Sequence, residues 1–182
     1  CEVLFFCTPE GYCLENVSKY FDGKKLIIDL SPDFRIKDSI LYKKWYKRDH
    51  SEPKLLSQSV YGLSEFYKKE LSKTKLVSNP GCYATIILLS LLPIADHIND
   101  SKIIIDAKSG ISGAGKKLIE SNLFSEVNEN FKPYAISGHR HSAEISEVLK
   151  IKKNLNLNYS FIPHLLPITR GILVTLHTNL EY

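Results

Sequence analysis

Glu2-Val3-Leu4-Phe5-Phe6-Cys7 is a continuous apolar run, typical of a strand buried in a parallel sheet. Thr8-Pro9-Glu10 follows it with a cap candidate, a proline suited to the first helical position and an acidic first turn. The pattern predicts a helix from there to about Phe21, and Lys25-Leu26-Ile27-Ile28-Asp29-Leu30 is the next strand. This stretch is therefore predicted to be a β-α-β unit with a right-handed crossover.

Beyond this unit the pattern changes from parallel β-α-β to a mixed arrangement of helices and strands. Residues 31–61 are predicted to be irregular except for one helix, and residues 108–116 form a loop rich in glycine and serine. We place a domain boundary at residue 80, where the change occurs. The remaining predicted helices are 39–47, 64–72, 82–92 and 142–150, and the remaining strands are 75–78, 103–107, 159–162 and 172–177.

Composition describes an ordinary soluble globular protein. Of the 182 residues, 43% are hydrophobic and 24% charged, and the net charge of +4 suits anionic small molecules but is too weak and scattered for nucleic acid. Cys1, Cys7, Cys13 and Cys82 match neither a zinc pattern nor a disulfide framework, which indicates a reducing cytosol. With no signal peptide, transit sequence or membrane span, we predict a cytoplasmic protein without a membrane partner.

A single cysteine stands at the start of a predicted helix, in Ser78-Asn79-Pro80-Gly81-Cys82-Tyr83-Ala84-Thr85. Pro80 and Gly81 are turn residues, and the apolar run 86–92 is too short to span a membrane and is typical of a buried helix. Because the positive end of a helix dipole favours the thiolate, Cys82 is a candidate nucleophile. A buried structural cysteine is the alternative interpretation.

A second candidate cluster, Gly138-His139-Arg140-His141-Ser142-Ala143-Glu144, lies just before a predicted helix. A cysteine nucleophile needs a partner that moves its proton, and histidine suits that role near pH 7. The alternative is a solvent-exposed helix cap. Because His-x-His without further spaced ligands rarely closes a metal site, no metal is predicted.

The glycine-rich loop Ser109-Gly110-Ile111-Ser112-Gly113-Ala114-Gly115-Lys116 follows a predicted strand. Such loops let backbone N–H groups approach a phosphate. The loop matches neither the Walker pattern nor a complete G-x-G-x-x-G pattern, and a flexible surface turn is the alternative.

Three more residues are candidates for binding an anionic substrate. Arg35 follows the carboxyl end of a strand, where α/β sheets bind ligands, and is a candidate to bind a carboxylate or phosphate through two hydrogen bonds. The alternative is an ordinary surface ion pair of Arg35 with Asp33. His164 and Arg170 lie in the connection 163–171, and either point at one site or are turn residues.

Seven segments, taken in order, carry a family resemblance that covers nearly the whole chain. They are Phe5-Phe6-Cys7-Thr8-Pro9-Glu10-Gly11, Ile28-Asp29-Leu30-Ser31-Pro32-Asp33-Phe34-Arg35, Asn79-Pro80-Gly81-Cys82-Tyr83, Asp106-Ala107-Lys108-Ser109-Gly110-Ile111-Ser112-Gly113-Ala114-Gly115, Asn122-Leu123-Phe124-Ser125-Glu126-Val127-Asn128-Glu129-Asn130, Gly138-His139-Arg140-His141, and Pro163-His164-Leu165-Leu166-Pro167 with Arg170-Gly171-Ile172-Leu173. Together they resemble the N-acetyl-gamma-glutamyl-phosphate reductase family, the NADP-dependent enzymes of arginine biosynthesis.

The resemblance implies a fold of the α/β and α+β classes. Residues 1–80 are then the remainder of a dinucleotide-binding domain, the second half of a Rossmann-type parallel sheet. Residues 81–182 are an incomplete catalytic and dimerisation domain with a mixed sheet. The implied partners are NADP, a small acyl-phosphate substrate and further copies of the same chain in a homo-oligomer.

In this family a cysteine thiolate attacks the acyl phosphate of N-acetyl-L-glutamyl 5-phosphate, phosphate leaves, and NADPH reduces the thioester to N-acetyl-L-glutamate 5-semialdehyde. The resemblance assigns Cys82 as the nucleophile and His139 as the general acid/base. It further assigns His141 and Glu144 as catalytic helpers, Arg35, Arg140, His164 and Arg170 to the substrate, and Thr8, Ser112, Gly113, Ala114 and Gly115 to the dinucleotide.

The chain departs from the usual family pattern in two places. Ala84 stands where proline follows the Cys-Tyr pair, and Ser142-Ala143-Glu144 replaces Thr-Pro-Glu, both outside the reacting groups. The glycine-rich first turn of a dinucleotide fold and the C-terminal segment that returns a helix to it do not occur in this sequence. We therefore expect this chain alone to bind NADP weakly or not at all and to show no turnover.

Three other functions stay open at this point. They are an aspartate-semialdehyde dehydrogenase-like enzyme, a non-catalytic oligomerisation or binding module, and a cofactor-free thiol hydrolase. The Gly-His-Arg-His cluster and Asn128-Glu129-Asn130 favour the reductase over the aspartate enzyme. Alkylation of Cys82 no faster than that of Cys7 or Cys13 would favour the module.

Overall fold

The chain folds into two units, each with its own sheet. The computed structural model describes residues 1–98, 102–115 and 119–181. The units are Cys1–Gly81 and Cys82–Tyr182. The first holds a parallel sheet and the second a mixed sheet, which confirms the predicted succession of α/β and α+β structure.

The first unit is built on four parallel strands in the order β1-β2-β4-β3. Their carboxyl ends lie at one edge of the sheet, as in any parallel sheet. The elements in chain order are β1 Val3–Phe6, α1 Tyr12–Asn16, β2 Leu26–Asp29, α2 Ser39–Tyr46, α3 Pro53–Gln58, β3 Val60–Tyr61, α4 Ser64–Leu71 and β4 Leu76–Ser78.

Strand β1 differs from the prediction of a fully buried strand. It lies at the edge of the sheet, and Val3 and Phe5 are 41% and 58% exposed while Phe6 is buried. A continuous apolar run therefore correctly indicated a parallel strand, but only one of its two faces is covered by described residues.

The first helix starts later than predicted, because its cap comes from elsewhere in the chain. It begins at Tyr12 after Gly11, whose φ of 92° lies in the left-handed region, and Thr8 is not the cap. Both carboxylate oxygens of Asp33 accept from the Gly11 N–H (2.8 and 2.9 Å), and one accepts from the Leu14 N–H (3.0 Å). The fully buried carboxylate of Asp33 thus caps α1 in place of a residue next to the helix in sequence.

Residues 31–61 are more ordered than the sequence indicated. The predicted helix at 39–47 is confirmed as α2, with Asp38 as its cap. Helix α3 and strand β3 also lie in this segment and were missed. Pro53 stands at the start of α3, where proline is favoured because the first N–H groups of a helix need no partner within it.

The second unit is built on a four-stranded mixed sheet in the order β6-β7-β5-β8. Strands β5 and β7 are parallel, while β8 and β6 pair antiparallel to them. The elements are α5 Cys82–Leu91, β5 Ile103–Ser109, α6 Phe124–Val127, β6 Lys132–Pro133, α7 His141–Lys153, β7 Tyr159–Leu165 and β8 Ile172–His177.

Strands β5 and β7 extend beyond the predicted ends. Lys108 and Ser109, predicted as loop, continue β5, because the strand is paired on both sides and its ladder is satisfied whatever the side chains. Likewise Pro163, His164 and Leu165 belong to β7 and not to a connection.

One face of the mixed sheet is covered and the other is open. Ile103, Ile105 and Ala107 of β5 are fully buried, whereas the residues between them point the opposite way. On that opposite face Ile104 and Leu173 are 48% and 61% exposed. The open face is therefore partly apolar.

Candidate active site

Cys82 is the first residue of α5 and its side chain is exposed. The next two residues, Tyr83 and Ala84, are buried in the second unit, whereas the Cys82 side chain faces outward. This exposure excludes a buried structural cysteine. Cys13, by contrast, is fully buried, and burial followed by the charge of Asp29 raises the pKa of its thiol.

Tyr83 links the start of α5 to the histidine cluster. It is 2% exposed, and its ring lies 5.7 Å from the His139 ring and 5.4 Å from that of Phe161, both edge to face. The His139 and His141 rings are 4.7 Å apart. The residue beside Cys82 is therefore in direct contact with the predicted general acid/base.

His139 has a defined protonation state. The backbone N–H of His141 donates to Nδ1 of His139 at 3.1 Å, so in the neutral ring the proton is assigned to Nε2. Burial, and after it the charge of Arg140, lower the pKa of His139 to about 4. At neutral pH the imidazole is therefore uncharged and presents an Nε2–H donor.

A cavity of about 480 Å³ in the second unit brings several predicted residues together. His139 and Arg140 line it with Gly113 and Ala114 of the glycine-rich loop. Its volume is typical of a small-molecule site. Further lining residues are Ser109, Ile119, Ser121, Asn122, Lys132, Tyr134, Ala135, Gly138 and Leu165.

The glycine-rich loop is more structured than predicted. Residues Ile111–Ala114 form a short 3-10 helix, and the N–H groups of Ser112, Gly113 and Gly115 already donate to carbonyl oxygens of the chain. These three amides therefore do not form the open phosphate cradle that the sequence suggested. Lys116, at the end of this loop, lies outside the described residues.

Gly110 lets the loop pack against the connection before β8. A Cβ atom at this position would lie 2.8 Å from the backbone N of Arg170, which is too close for any side chain. The Gly110 N–H donates to Gly171 and the Ile111 N–H to Ile168, both at 2.9 Å. The backbone of Arg170 is thus beside the loop, while its side chain is exposed and does not line the cavity.

His164 lies away from the cavity. Its neighbour on β7, Leu165, lines the cavity, and adjacent residues of a strand point to opposite faces. The His164 ring stacks on Phe131 at 5.1 Å, and its Nδ1 lies 3.3 Å from the Ala107 carbonyl oxygen and 3.5 Å from the Asp106 carboxylate. The structure thus places this side chain on the open face of the mixed sheet.

His141 and Glu144 lie one turn apart on α7. Both are buried, at 4% and 1% exposure, and neither lines the cavity. His141 contributes its backbone N–H to His139, as described above. Its side chain contacts the ring of Tyr83, at a centroid distance of 6.3 Å.

Arg35 and Thr8 are site predictions that lie in the first unit. Arg35 is 8% exposed and donates to the carbonyl oxygens of Asn79 (2.7 Å) and Leu30 (2.8 Å), so it ties together the chain after two strands. The alternative prediction, that Asp33 and Arg35 form a pair on the surface, is wrong. Asp33 is buried, and its carboxylate accepts hydrogen bonds from Gly11, Leu14 and Arg48.

The sequence analysis missed three residues of this region. Lys132 and Tyr134 line the cavity, and Tyr83 packs against the ring of His139, which also lines it. The only signal available for Tyr83 was its place beside Cys82. Lys132 and Tyr134 carried no local signal, because a strand two residues long brings them to the cavity.

Across the described residues, no group of three or more His, Cys, Asp and Glu side chains is arranged to hold a metal ion. None of the described helices has the length and apolar character needed to cross a membrane.

Family models match both units. Residues 82–182 match the model described as semialdehyde dehydrogenase, dimerisation domain, and residues 1–74 match semialdehyde dehydrogenase, NAD binding domain. The chain belongs to the semialdehyde dehydrogenase family. The order of the two sheets, a parallel one followed by a mixed one, agrees with the order of these two domains.

Curated relatives within this family are named N-acetyl-gamma-glutamyl-phosphate reductase. That of Ruthia magnifica subsp. Calyptogena magnifica is 46% identical over 182 residues, which are 99% of this chain and 54% of the relative. That of Halothermothrix orenii is also 46% identical, over 99% of this chain and 53% of its own. The resemblance drawn from the seven motifs is confirmed, and the chain spans about half the length of these relatives.

Solved semialdehyde dehydrogenases share the fold at low identity. Aspartate semialdehyde dehydrogenase II from Vibrio cholerae matches with a TM-score of 0.70 and 14% identity, over 100% of this chain and 56% of that one. The aspartate semialdehyde dehydrogenase with NADP from Candida albicans matches at 0.61 and 10%, over 100% and 51%. Identities this low show the fold of the family and not its substrate.

Proposed function

We propose that the protein carrying this chain reduces N-acetyl-L-glutamyl 5-phosphate to N-acetyl-L-glutamate 5-semialdehyde with NADPH, in the cytoplasm, as a step of arginine biosynthesis. The observation that carries the proposal is an exposed cysteine at the start of α5 whose neighbour contacts a neutral histidine beside a cavity. Relatives at 46% identity support the substrate.

Cys82 would be the nucleophile of this reaction. Its sulfur attacks the acyl carbon, the bond from that carbon to the phosphate oxygen breaks, and a thioester forms with release of phosphate. Helix α5 supplies ten residues of aligned peptide dipoles behind the sulfur, which favours the anionic nucleophile.

His139 would serve this step as a proton donor. Its Nδ1 accepts from the His141 N–H, which leaves the Nε2–H group of the neutral ring as the donor. A neutral donor of this kind stabilises an oxyanion or protonates a departing oxygen. Arg140 adds a positive charge to the same cavity and suits the phosphate of the substrate.

The dinucleotide site would draw on the first unit. Within the described part of the chain, the buried Oγ1 atom of Thr8 has no hydrogen-bond partner, and Thr8 is the second residue after the carboxyl end of β1. An unsatisfied hydroxyl at that edge fits a ligand in the place where parallel sheets bind dinucleotides. NADPH, when bound, supplies the reducing equivalent for the thioester.

A substrate comparison tests the proposed function. The full-length gene product that contains this chain is expected to oxidise NADPH with N-acetylglutamyl phosphate at least about 100-fold more efficiently than with β-aspartyl phosphate. Consumption of NADPH is followed at 340 nm by absorbance. Preference for the aspartyl compound would instead make the protein an aspartate-semialdehyde dehydrogenase, and acyl-phosphate cleavage without NADPH would make it a hydrolase.

We also propose that the protein is a homo-oligomer in which a second copy covers the open face of the mixed sheet. Ile104, Ile162 and Leu173 are 48%, 37% and 61% exposed on that face. The residues of this unit match the dimerisation domain of the family. Apolar side chains from three neighbouring strands form the kind of surface that another subunit buries.

Leu173→Glu is expected to weaken the oligomer by about 100-fold or more in dissociation constant, because it would bury a carboxylate in an apolar interface. Sedimentation velocity over a range of protein concentrations measures the change. Ile151→Glu is the matched control, since Ile151 is 56% exposed on α7 and not on the sheet. Equal behaviour of the two variants would place the interface elsewhere.

A further inference from the structure

Lys132 brings a positive charge to the cavity from strand β6. It pairs antiparallel with Leu165 of β7. Residues that stand directly opposite each other in an antiparallel pair point to the same face of the sheet. Because Leu165 lines the cavity, the register of the two strands places the Lys132 side chain on the cavity side, and Lys132 lines the cavity as well.

The Lys132 ammonium is held at the cavity wall by a residue from another segment of the chain. Its Nζ donates to the carbonyl oxygen of Ser121 at 2.8 Å, and Ser121 also lines the cavity. An ammonium group has three N–H donors, and this bond uses one of them. A cation positioned in this way suits the carboxylate of a bound ligand.

The charges that line the cavity have a single sign. Lys132 and Arg140 are the cationic side chains among its described lining residues, and those residues include no aspartate or glutamate. His139 is uncharged at neutral pH, as described above. The described lining therefore attracts a ligand with two anionic groups and repels a ligand group that carries a positive charge.

The proposed substrate fits this charge pattern. N-acetyl-L-glutamyl 5-phosphate has a phosphate at the reacting end and an α-carboxylate at the other, and its nitrogen is an uncharged amide. Arg140 directly follows His139, the proposed proton donor to the departing oxygen, so Arg140 suits the reacting end. Lys132, from a different element, is then the described cation that suits the α-carboxylate.

We propose that Lys132 is a specificity-determining residue, whose ammonium pairs with the α-carboxylate of the ligand and disfavours a free α-ammonium beside it. The cavity thereby selects acidic amino acids whose nitrogen is blocked by an acyl group. This inference rests on the proposed function, because it takes the reacting end of the substrate to lie at His139 and Arg140. It concerns binding alone, so stable ligands report it without NADPH.

Three stable acids separate the parts of this recognition. N-acetyl-L-glutamate has both carboxylates and the amide, 4-acetamidobutanoate lacks the α-carboxylate, and L-glutamate has a free α-ammonium in place of the amide. Ligand-observed NMR titration of the full-length gene product at neutral pH gives a dissociation constant for each. N-acetyl-L-glutamate is expected to bind about tenfold or more tightly than either of the others.

Lys132→Met removes the charge and nearly keeps the length of the side chain. It is expected to weaken the binding of N-acetyl-L-glutamate about 20-fold, and that of 4-acetamidobutanoate less than about twofold, because the latter has no α-carboxylate for the ammonium. Lys132→Arg keeps the charge and should stay within about threefold of the original protein. Lys150→Met is the matched control, because Lys150 is exposed on α7 and does not line the cavity, and it should change each constant less than about twofold.

Lys132→Glu tests the repulsion of the α-ammonium, and should abolish the preference for N-acetyl-L-glutamate over L-glutamate. Equal losses for N-acetyl-L-glutamate and 4-acetamidobutanoate in Lys132→Met, or no loss for either, would overturn the proposal. So would a lack of measurable N-acetyl-L-glutamate binding by the original protein. If the expected binding pattern were found in a protein that does not reduce N-acetylglutamyl phosphate, the proposed reaction would fail and the role of Lys132 would stand.

Discussion

Cys82→Ser is expected to reduce NADPH-dependent reduction of N-acetylglutamyl phosphate by about 10⁴-fold or more in the full-length gene product. A serine hydroxyl is far less ionised than a thiol at neutral pH, and the neutral donor His139 offers no strong base to compensate. Because Cys82 is exposed, the substitution leaves no cavity in the core, so the fold should be unaffected. Single-turnover and steady-state rates measure the loss.

Cys7→Ser is the matched control for this experiment. Cys7 is also exposed and lies outside the second unit, so its substitution should leave the rate within about twofold. Residual activity of the Cys82 variant within tenfold of the original would show that a covalent thioester is not on the pathway. Intact-mass detection of an acyl group on Cys82 would give independent support.

Asp33→Ala is expected to lower the free energy of unfolding by about 3 kcal/mol. Three donors lose their acceptor at once: the N–H groups of Gly11 and Leu14, and the guanidinium of Arg48 at 3.1 Å. Asp33 is fully buried, so water does not replace it without rearrangement. Urea denaturation of this chain, followed by circular dichroism, measures the loss.

Asp38→Ala is the control, because Asp38 is an exposed helix cap of the ordinary local kind. It accepts from the N–H groups of Ile40 and Leu41, and its loss should cost about 1 kcal/mol. If the two variants were equally stable, the buried carboxylate would be no more than another cap. The comparison therefore isolates the contribution of burial and of the ion pair.

Much of the fold could be predicted because its signals are local. Helices α2 and α4, and the strand β8, lie within one or two residues of their predicted bounds. Each is short and is bordered by turn residues or a cap in the sequence itself. Helix α1 could not be placed in this way, because its cap comes from Asp33, which only the tertiary fold brings near Gly11.

In the candidate site, too, the residues with a local sequence signal could be predicted and those brought in by the tertiary fold could not. The sequence pointed to Cys82, His139 and Arg140 because cysteine and histidine carry recognisable chemistry, and the structure places His139 and Arg140 at one cavity. Tyr134 carried no such signal, since a tyrosine in a loop is ordinary. His164 was predicted at the site from its residue type and from the family resemblance, whereas strand alternation turns its side chain to the face of the sheet opposite Leu165, which lines the cavity.

The dependence of α1 on Asp33 has a consequence for how the polypeptide acquires its shape during synthesis. A helix of five residues has no stability of its own, so the amides of Gly11 and Leu14 stay solvated until Asp33 has been synthesised. They meet their acceptor after Asp33 emerges, and that acceptor gains its counter-charge after Arg48. Helix α1 is therefore completed by residues that are synthesised after it, and its cap is closed only once Arg48 is present.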